Sequence, residues 1–294
     1  MSYPLITLYT PGIKLDLARK ADKYAPDAII IDLEDTVPPD LKNEVRHEVA
    51  ELIPDLVNPP LVRINNDNDY LENDLRAIIT KNTRGILLPK VENTDNLVMV
   101  DSIMSESERE LGLEKNSIKL ILLIETALGV MRCYELASSL PRIESVSFGS
   151  AEDGDLQTNL GCSFSIEGPE LLYARSRVLL EARAAKLPYV LDGAFSGIDD
   201  LDGFKEDCKI SQRLGYDGRT LVHPAQIEPA REIYTISEEK IKYYQRVIQE
   251  FEASEKLGNA SIKVDGKLVD YAMYNQAKSL LQRFRPDILA NLIK

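Results

Sequence analysis

The chain has 294 residues, enough for one large α/β domain or two smaller ones, and its 44% apolar and 28% charged content is typical of a globular fold. The formal net charge of -13 disfavours nonspecific binding to nucleic acid or to an anionic membrane, since both need a basic surface. Three cysteines without a CxxC pair and only two histidines argue against a disulfide framework, histidine-ligated zinc and most Ser-His-Asp mechanisms. Without a signal-like start or a membrane-length apolar run, we expect a cytoplasmic protein.

Eight short apolar segments recur along the chain, separated by segments with helical spacing. Most are continuous apolar runs, which is typical of strands buried on both faces of a parallel sheet. In order they are LITLYT from Leu5, AIIIDLED from Ala28, PLVRIN from Pro60, GILLPKV from Gly85, KLILLIET from Lys119, ESVSFGS from Glu144, PYVLDGAF from Pro188 and RTLVHP from Arg219. Eight strand–helix repeats in about 230 residues predict a (β/α)8 TIM barrel. A doubly wound sheet is the alternative, but the chain has no GxGxxG or other phosphate loop.

The pattern changes towards the C-terminus. A long charged helix that ends near Gly258, a hairpin that turns at Asp265-Gly266 and a final helix are predicted there. We expect this region to be too small for a core of its own, so that it packs on its own barrel or on a neighbouring subunit. The predicted organisation is therefore a catalytic barrel over residues 1–235 and a C-terminal helical and hairpin extension over residues 236–294.

The fifth and sixth predicted strands both end in carboxylates, Glu125 after the fifth and Glu152 and Asp153 after the sixth. Because the carboxyl ends of parallel strands meet in one crevice, we expect these acids to lie close together. Carboxylate oxygens without a neighbouring Cys or His are the ligands that Mg²⁺ prefers. The alternative is that Glu125 opens the helix that begins ALGVMRC, since acids are favoured in a first helical turn.

Polar or ionisable residues follow almost every predicted strand, as they do at the catalytic face of a barrel. A structural protein could carry charged loops at random, but repeated placement directly after apolar runs favours an active site. In strand order the residues are Tyr9 and Thr10, then Asp32, Glu34 and Asp35, then Arg63 and Asn65, then Lys90, Glu125, Glu152 and Asp153, Asp192 and His223.

Three of these residue types allow more than one interpretation. Arg63 lies in a strand of the buried type, so it must pair with a carboxylate such as Glu34, with a substrate carboxylate or enolate, or with both. Lys90 could be a Schiff-base lysine, but a salt bridge to the acids of DLED is the simpler interpretation. His223 before Pro224 fits a hydrogen-bonded barrel residue better than a general base.

Seven motifs fall in the order and spacing of a known family. DLEDTVPPDLKNEVR, VRIN, LLPKVE, IETALGV, FGSAED, LDGAF and LVHPAQI together resemble the citrate lyase β-subunit-like lyases of the HpcH/HpaI aldolase superfamily, which includes malyl-CoA and citramalyl-CoA lyases. The resemblance covers almost the whole chain, from LYTPG to DGKLVDYAMYNQAKSLL. It implies a Mg²⁺-dependent (β/α)8 barrel, assembled as a trimer or hexamer, that cleaves or forms a C–C bond between a thioester enolate and a 2-oxo acid.

The resemblance also implies roles for individual residues. Glu125 of IET and Asp153 of SAED look like the Mg²⁺ ligands, with Glu125 also contacting the substrate. Arg63 looks like the residue that binds the oxygens of the oxo acid or enolate. Tyr9 of LYTPG and Lys20 look like contacts to the thioester or to CoA.

Two further residues, Asp270 and Glu34, complete the expected catalytic set. Asp270 aligns with an aspartate that the CoA lyases of the family use as acid and base, and the extension that carries it would then cover the barrel of a neighbouring subunit. Glu34 joins Asp270 and Arg63 in this set as the expected partner of the guanidinium.

The expected reaction is cleavage of citramalyl-CoA or malyl-CoA to acetyl-CoA and pyruvate or glyoxylate. One alternative is a CoA-independent class II aldolase that uses the same metal site on a pyruvate enolate. Another is a subunit that acts on a thioester of an acyl-carrier protein, because Asp16 stands where many relatives have a second basic residue.

Overall fold

The fold is a closed parallel barrel, seen in a computed structural model that describes residues 3–292 apart from the side chain of Arg283. The eight strands pair in chain order and the last pairs with the first. They are β1 (Ile6–Pro11), β2 (Ala28–Asp32), β3 (Leu61–Arg63), β4 (Gly85–Leu88), β5 (Lys119–Ile124), β6 (Ile143–Phe148), β7 (Tyr189–Asp192) and β8 (Gly218–Leu221). The (β/α)8 barrel predicted from the eight apolar runs is confirmed.

Helices follow the strands in the alternation that parallel pairing requires. The helix predicted from ALGVMRC onwards is broken at Arg132, whose φ of -110° and ψ of 10° separate two short helices. The helices are α1 (Leu15–Ala21), α2 (Lys42–Leu52), α3 (Leu71–Ile78), α4 (Thr94–Glu110), α5 (Ala127–Met131), α6 (Cys133–Ala137), α7 (Asp155–Leu160), α8 (Pro169–Ala184), α9 (Leu201–Leu214) and α10 (Ile227–Tyr234), with 3-10 turns at Asp22–Tyr24, Pro39–Leu41, Ile53–Asp55 and Pro224–Gln226.

Continuous apolar strands arise because each strand has two buried faces. In β2, Ile29 and Ile31 pack in the large core cluster that includes Val45 and Val49 of α2. The intervening Ile30 packs inside the barrel with residues of β3, β4 and β5. Burying one such side chain stabilises the fold by about 1.5–3 kcal/mol. A polar residue in these strands is therefore costly unless it is paired or lies at an open end of the barrel.

The chain divides into two compact units between Tyr234 and Thr235. The second unit contains an antiparallel hairpin between helices, and the hairpin turns at the predicted Asp265-Gly266 pair. Its elements are α11 (Glu238–Glu255), β9 (Ser261–Val264), β10 (Lys267–Asp270), α12 (Tyr271–Phe284) and α13 (Pro286–Leu292).

The expectation that this region has no core of its own is wrong. Nine buried residues form a separate hydrophobic cluster there, because the apolar faces of α11 and α12 enclose the hairpin. Phe251 anchors it, with its ring stacked 4.8 Å from that of Tyr274. Within the described residues of both units, no helix is long and apolar enough to cross a membrane.

Candidate active site

A cavity of about 310 Å³ lies at the carboxyl ends of the barrel strands. Its lining combines apolar groups such as Leu123 and Phe148 with ionisable groups from several strands. Tyr9, Arg63 and Glu125 are among the lining residues, so three of the predicted site residues share one cavity. This is the face at which barrel enzymes place their catalytic groups.

Arg63, the last residue of β3, is the centre of the charges around the cavity. Its Nε and Nη2 donate to the two carboxylate oxygens of Asp32 at 2.7 and 2.8 Å. Its Nη1 lies 3.0 Å from Glu34 and 3.1 Å from Asp35. The expected pairing with Glu34 is confirmed, and the bidentate partner is Asp32. A planar guanidinium held at three nitrogens has a fixed position, which is the requirement for stabilising a developing charge.

These contacts set the protonation states beside Arg63. Burial opposes the charge of Asp32, but the hydrogen bonds and the charge of Arg63, together with hydrogen bonds from Glu34 and Thr36, outweigh it and hold the pKa of this carboxyl below its ordinary value. Tyr9 has its ring 5.2 Å from the guanidinium carbon. Burial raises the pKa of the Tyr9 phenol above its ordinary value, with Arg63 opposing. The phenol therefore keeps its proton and is a hydrogen-bond donor at neutral pH.

Lys90, after β4, joins the two acidic segments. Its Nζ donates to Glu34 at 2.6 Å and lies 3.2 Å from Asp155. Burial lowers the pKa of Lys90, but the hydrogen bond and the charge of Glu34, together with the charges of Asp35 and Glu125, outweigh it and raise the pKa above its ordinary value. A Schiff-base lysine needs the opposite shift, so the salt-bridge interpretation is confirmed. The Lys90 backbone N–H donates to Glu125 at 3.1 Å.

Glu125 is the most perturbed carboxyl of the cavity. It is 7% exposed, and burial together with the nearby Glu34 raises its pKa to about 8. Gly149 lets it fit, because a Cβ atom at Gly149 would collide with the Glu125 side chain. The alternative that Glu125 opens a helix is wrong, since Thr126 caps α5 by accepting from the Gly129 N–H at 3.0 Å.

The second predicted metal ligand lies in the loop after β6. Asp153 is exposed and has a φ of 56°, a left-handed conformation. Its backbone N–H donates to the side chain of Gln157 at 3.1 Å. It does not line the cavity, although Ser150 and Ala151 of the same loop do. Within residues 3–292, no group of three or more His, Cys, Asp or Glu side chains is placed so that it could hold a metal ion.

Two other predicted residues make local contacts within their own part of the chain. Lys20 is an exposed residue of α1 that donates to Asp16 at 2.9 Å. Asp270, in the second unit, caps α12 by accepting from the backbone N–H groups of Ala272 and Met273 at 2.9 and 3.2 Å. Its carboxylate is exposed, so the capping contacts leave it accessible to solvent.

His223 is a capping residue, as the sequence favoured. Its Nδ1 accepts from the Ala225 N–H at 3.2 Å, while the Gln226 side chain accepts from the His223 N–H at 3.3 Å. This reciprocal pair opens the 3-10 turn after β8. A general-base role has no support from these contacts.

Asp192 differs from its predicted place at the active site. It is fully buried, and its Oδ2 accepts two hydrogen bonds from Arg175 of α8. Asp207 of α9 bridges Arg175 and Arg219 at 2.8 Å from each. We call Asp192, Arg175, Asp207 and Arg219 the buried cluster, and Asp32, Glu34, Arg63 and Lys90 the cavity cluster.

Several residues at the site were not predicted from the sequence. Asp155 and Gln157 belong to α7, whose six-residue sequence DLQTNL is too short to show a helical period and has only two apolar residues, Leu156 and Leu160. The spacing of Asp155 and Gln157 after Asp153 was the available signal. Ser150, which lines the cavity, gave none because serine is common in loops.

Comparison with known proteins identifies the family. The model described as HpcH/HpaI aldolase/citrate lyase matches residues 5–224, and the chain therefore belongs to this family. The chain is 30% identical over 279 residues to the citrate lyase subunit beta of Leuconostoc mesenteroides subsp. cremoris, covering 94% of this chain and 91% of that protein. It is 32% identical over 267 residues to a (3S)-malyl-CoA thioesterase of Cereibacter sphaeroides, covering 90% and 88%.

Solved structures support the same family. The CitE protein of Mycobacterium tuberculosis, in complex with magnesium, acetoacetate and coenzyme A, superposes with a TM-score of 0.74 at 25% identity, covering 95% of this chain and 97% of that one. A citrate lyase from Burkholderia xenovorans LB400 has a TM-score of 0.86 at 22% identity, covering 100% and 97%. The latter likeness bears on the fold alone.

Proposed function

We propose that this protein is a Mg²⁺-dependent C–C lyase that cleaves a 3-hydroxyacyl thioester, such as citramalyl-CoA or malyl-CoA, into acetyl-CoA and a 2-oxo acid. The observation that carries the proposal is the buried Glu125 beside the fixed guanidinium of Arg63 in one small cavity. Relatives named for citrate cleavage and for malyl-CoA, and a structural neighbour with magnesium and coenzyme A, support this substrate class.

The carboxylate oxygens of the proposed ligands are the type of donor that magnesium prefers. A carboxyl as buried as Glu125, with its pKa raised to about 8, is short of positive charge, and a cation would favour its ionised form. In the proposal Glu125 and Asp153 hold the ion, with the Asp153 loop supplying the exposed oxygen ligand. Bound there, Mg²⁺ would polarise the hydroxyl and the forming carbonyl of the substrate.

The protein's own residues supply the remaining chemistry. Arg63 places fixed positive charge where the thioester enolate develops, and Asp32 holds it there through two hydrogen bonds. Glu34 balances the charge of Arg63 and links it to Lys90. The Tyr9 phenol, protonated at neutral pH, donates to a thioester or oxo-acid oxygen.

Asp270 is proposed as the group that exchanges the proton of the enolate carbon. As an acid it protonates the enolate after cleavage, and as a carboxylate it removes a proton from the acetyl group in the reverse reaction. Its exposed carboxylate suits contact with another molecule. We propose that the extension of residues 236–294 covers the barrel of a neighbouring subunit, formed by residues 1–235, in a homotrimer or hexamer.

A second candidate substrate is a thioester of an acyl-carrier protein. Lys20, the proposed contact to the CoA, is paired with Asp16 at 2.9 Å, which leaves less positive charge for the phosphates of CoA. If the substrate is a thioester of an acyl-carrier protein, the protein should turn over a substrate linked to the phosphopantetheine of the carrier better than the CoA thioester. A class II aldolase acting on free acids would use neither the CoA thioester nor the carrier-protein thioester.

The test is an assay in the condensation direction. Purified protein with Mg²⁺ and acetyl-CoA is offered glyoxylate, pyruvate and other 2-oxo acids, and the acyl-CoA products are separated by chromatography. Turnover with one oxo acid that stops on adding EDTA supports the proposal. Turnover only with acetylated carrier protein favours the second candidate, and aldol products from free acids alone would reject both thioester readings.

A further inference from the structure

Helix α7 contacts both chain segments that carry the proposed metal ligands. The Oε1 of Gln157 accepts from the backbone N–H of Asp153 at 3.1 Å. Two residues further along α7, the Oδ1 of Asn159 accepts from the backbone N–H of Ala127 at 2.8 Å. Ala127 follows Glu125 by two residues. One short helix thus ties the loop after β6 to the segment after β5.

Gln157 is an unusual residue in its environment. It is 2% exposed, and its Nε2 has no hydrogen-bond partner among the residues that the structure describes. Leaving a buried donor unsatisfied costs about 1–3 kcal/mol, and an apolar side chain of similar length would avoid that cost. The amide is therefore not explained by packing alone.

The backbone that Gln157 holds has an uncommon conformation. Asp153 has a φ of 56°, in the left-handed region that few residues other than glycine, asparagine and aspartate adopt. The hydrogen bond from its N–H to the buried Gln157 side chain favours this conformation. Because the direction of the Asp153 side chain depends on its backbone, the same contact restricts where the carboxylate can reach.

We infer that Gln157 and Asn159 are positioning residues for the divalent cation. Gln157 fixes the Asp153 backbone, Asn159 fixes the segment beyond Glu125, and α7 keeps the two carboxylates at one separation. The inference rests on the proposed metal ligands, since it assumes that Glu125 and Asp153 share the ion.

The experiment is a Mn²⁺ titration of the full chain, followed by electron paramagnetic resonance, which needs no substrate or turnover. Gln157→Met keeps the length of the side chain and removes the acceptor, and we expect binding about 10–100-fold weaker than in the unmodified protein. Gln157→Glu keeps an acceptor for the Asp153 N–H and should bind at least about tenfold more tightly than Gln157→Met. Thr158→Ala, an exposed neighbour on α7, should bind as the unmodified protein does.

Asn159→Ala is a second test substitution. The fold should tolerate it, because Asn159 is exposed. We expect it to weaken Mn²⁺ binding by about three- to tenfold. The inference would be overturned if Gln157→Met and Asn159→Ala both bind Mn²⁺ within threefold of the unmodified protein while Glu125→Gln does not bind it. That result would leave the proposed metal ligands unchanged. If the unmodified protein itself binds no Mn²⁺, the proposed ligands fall and the inference falls with them.

Discussion

The barrel contains two clusters of oppositely charged residues. The difference between them distinguishes a candidate active site from a group of residues that stabilises the fold. The cavity cluster and the buried cluster each have at least two cations and two carboxylates in direct contact. The cavity cluster borders open space through Asp32 and Arg63. In the buried cluster, Arg219 and Asp192 are fully inaccessible.

The two clusters also differ in electrostatic balance. In the buried cluster, burial opposes the charge of Asp207, but Arg219 and Arg175 outweigh it and hold the pKa of Asp207 below its ordinary value. Next to the cavity cluster, Glu125 has a pKa raised to about 8 and so is not matched by a cation of its own. A matched cluster stabilises the fold, while an unmatched carboxyl beside a cavity is typical of a functional site.

The largest effect is expected from replacing the proposed metal ligand Asp153. Asp153→Asn should weaken Mg²⁺ binding and lower kcat/KM by at least about 10³-fold, because the amide lacks the charge that holds the ion. The unfolding temperature should change little, since Asp153 is exposed. Calorimetric titration measures the binding of Mg²⁺, and the condensation assay measures kcat/KM. Unchanged activity would refute the assignment of Asp153.

A matched pair of arginine substitutions sharpens the comparison of the clusters. Arg63→Lys should lower kcat about 10²–10³-fold, because lysine cannot reproduce the bidentate geometry that fixes the charge. Arg175→Lys should instead lower the free energy of unfolding by about 2–4 kcal/mol, with kcat of the folded protein within threefold. Urea unfolding and steady-state kinetics on both variants provide the readout. Equal kinetic losses in the two variants would mean that the clusters do not differ in role.

The pH dependence of stability tests the unmatched carboxyl. The folded protein without metal binds a proton at Glu125 up to about pH 8, whereas the unfolded chain releases it near the ordinary value of 4.5. The stability from this group is therefore present below about pH 4.5 and is lost as the pH rises towards 8. In EDTA, Glu125→Gln should be more stable than the unmodified protein by about 4 kcal/mol at pH 8 and by only about 1 kcal/mol at pH 5.

Urea unfolding of both proteins at the two pH values measures this difference. Mg²⁺ at pH 8 should stabilise the unmodified protein and leave Glu125→Gln unchanged, since binding to the folded state shifts the equilibrium. A stability gap that is the same at both pH values would contradict the raised pKa.

The smallest signal is expected from subunit complementation. Neither Asp270→Asn nor Glu125→Gln should be active alone. If Asp270 serves a neighbouring barrel, a mixed trimer should recover about one site in three, because one intact barrel then meets one intact extension. Co-expression of differently tagged chains and assay of doubly purified oligomers would measure this. Mixed oligomers without any recovery would place Asp270 outside a shared site.

How far the sequence could predict the site is shown by two strand-end aspartates. Asp32 and Asp192 both follow apolar runs, and both were expected at the active site. Asp32 faces the cavity, whereas Asp192 faces α8 and pairs with Arg175. In a strand buried on both faces the alternation of polar and apolar residues disappears, so the sequence does not reveal which way a side chain points.

Other features followed directly from local patterns. The eight strands were predictable from their apolar runs, and the pairing of Lys90 with Glu34 from the cost of unpaired charge near a core. The break at Arg132 and the core of the second unit were not, because both depend on tertiary packing. Helix α7 was not predicted because six residues with only two leucines are too few to show a helical period.

The measurement that tests the central claim most directly is product analysis of malyl-CoA and citramalyl-CoA cleavage by mass spectrometry. With Mg²⁺, the account predicts acetyl-CoA and an equal amount of glyoxylate or pyruvate, and none of these products with EDTA or with Glu125→Gln. Release of free CoA together with the intact hydroxy acid would show that the thioester is hydrolysed instead. That result would contradict a C–C lyase at this cavity.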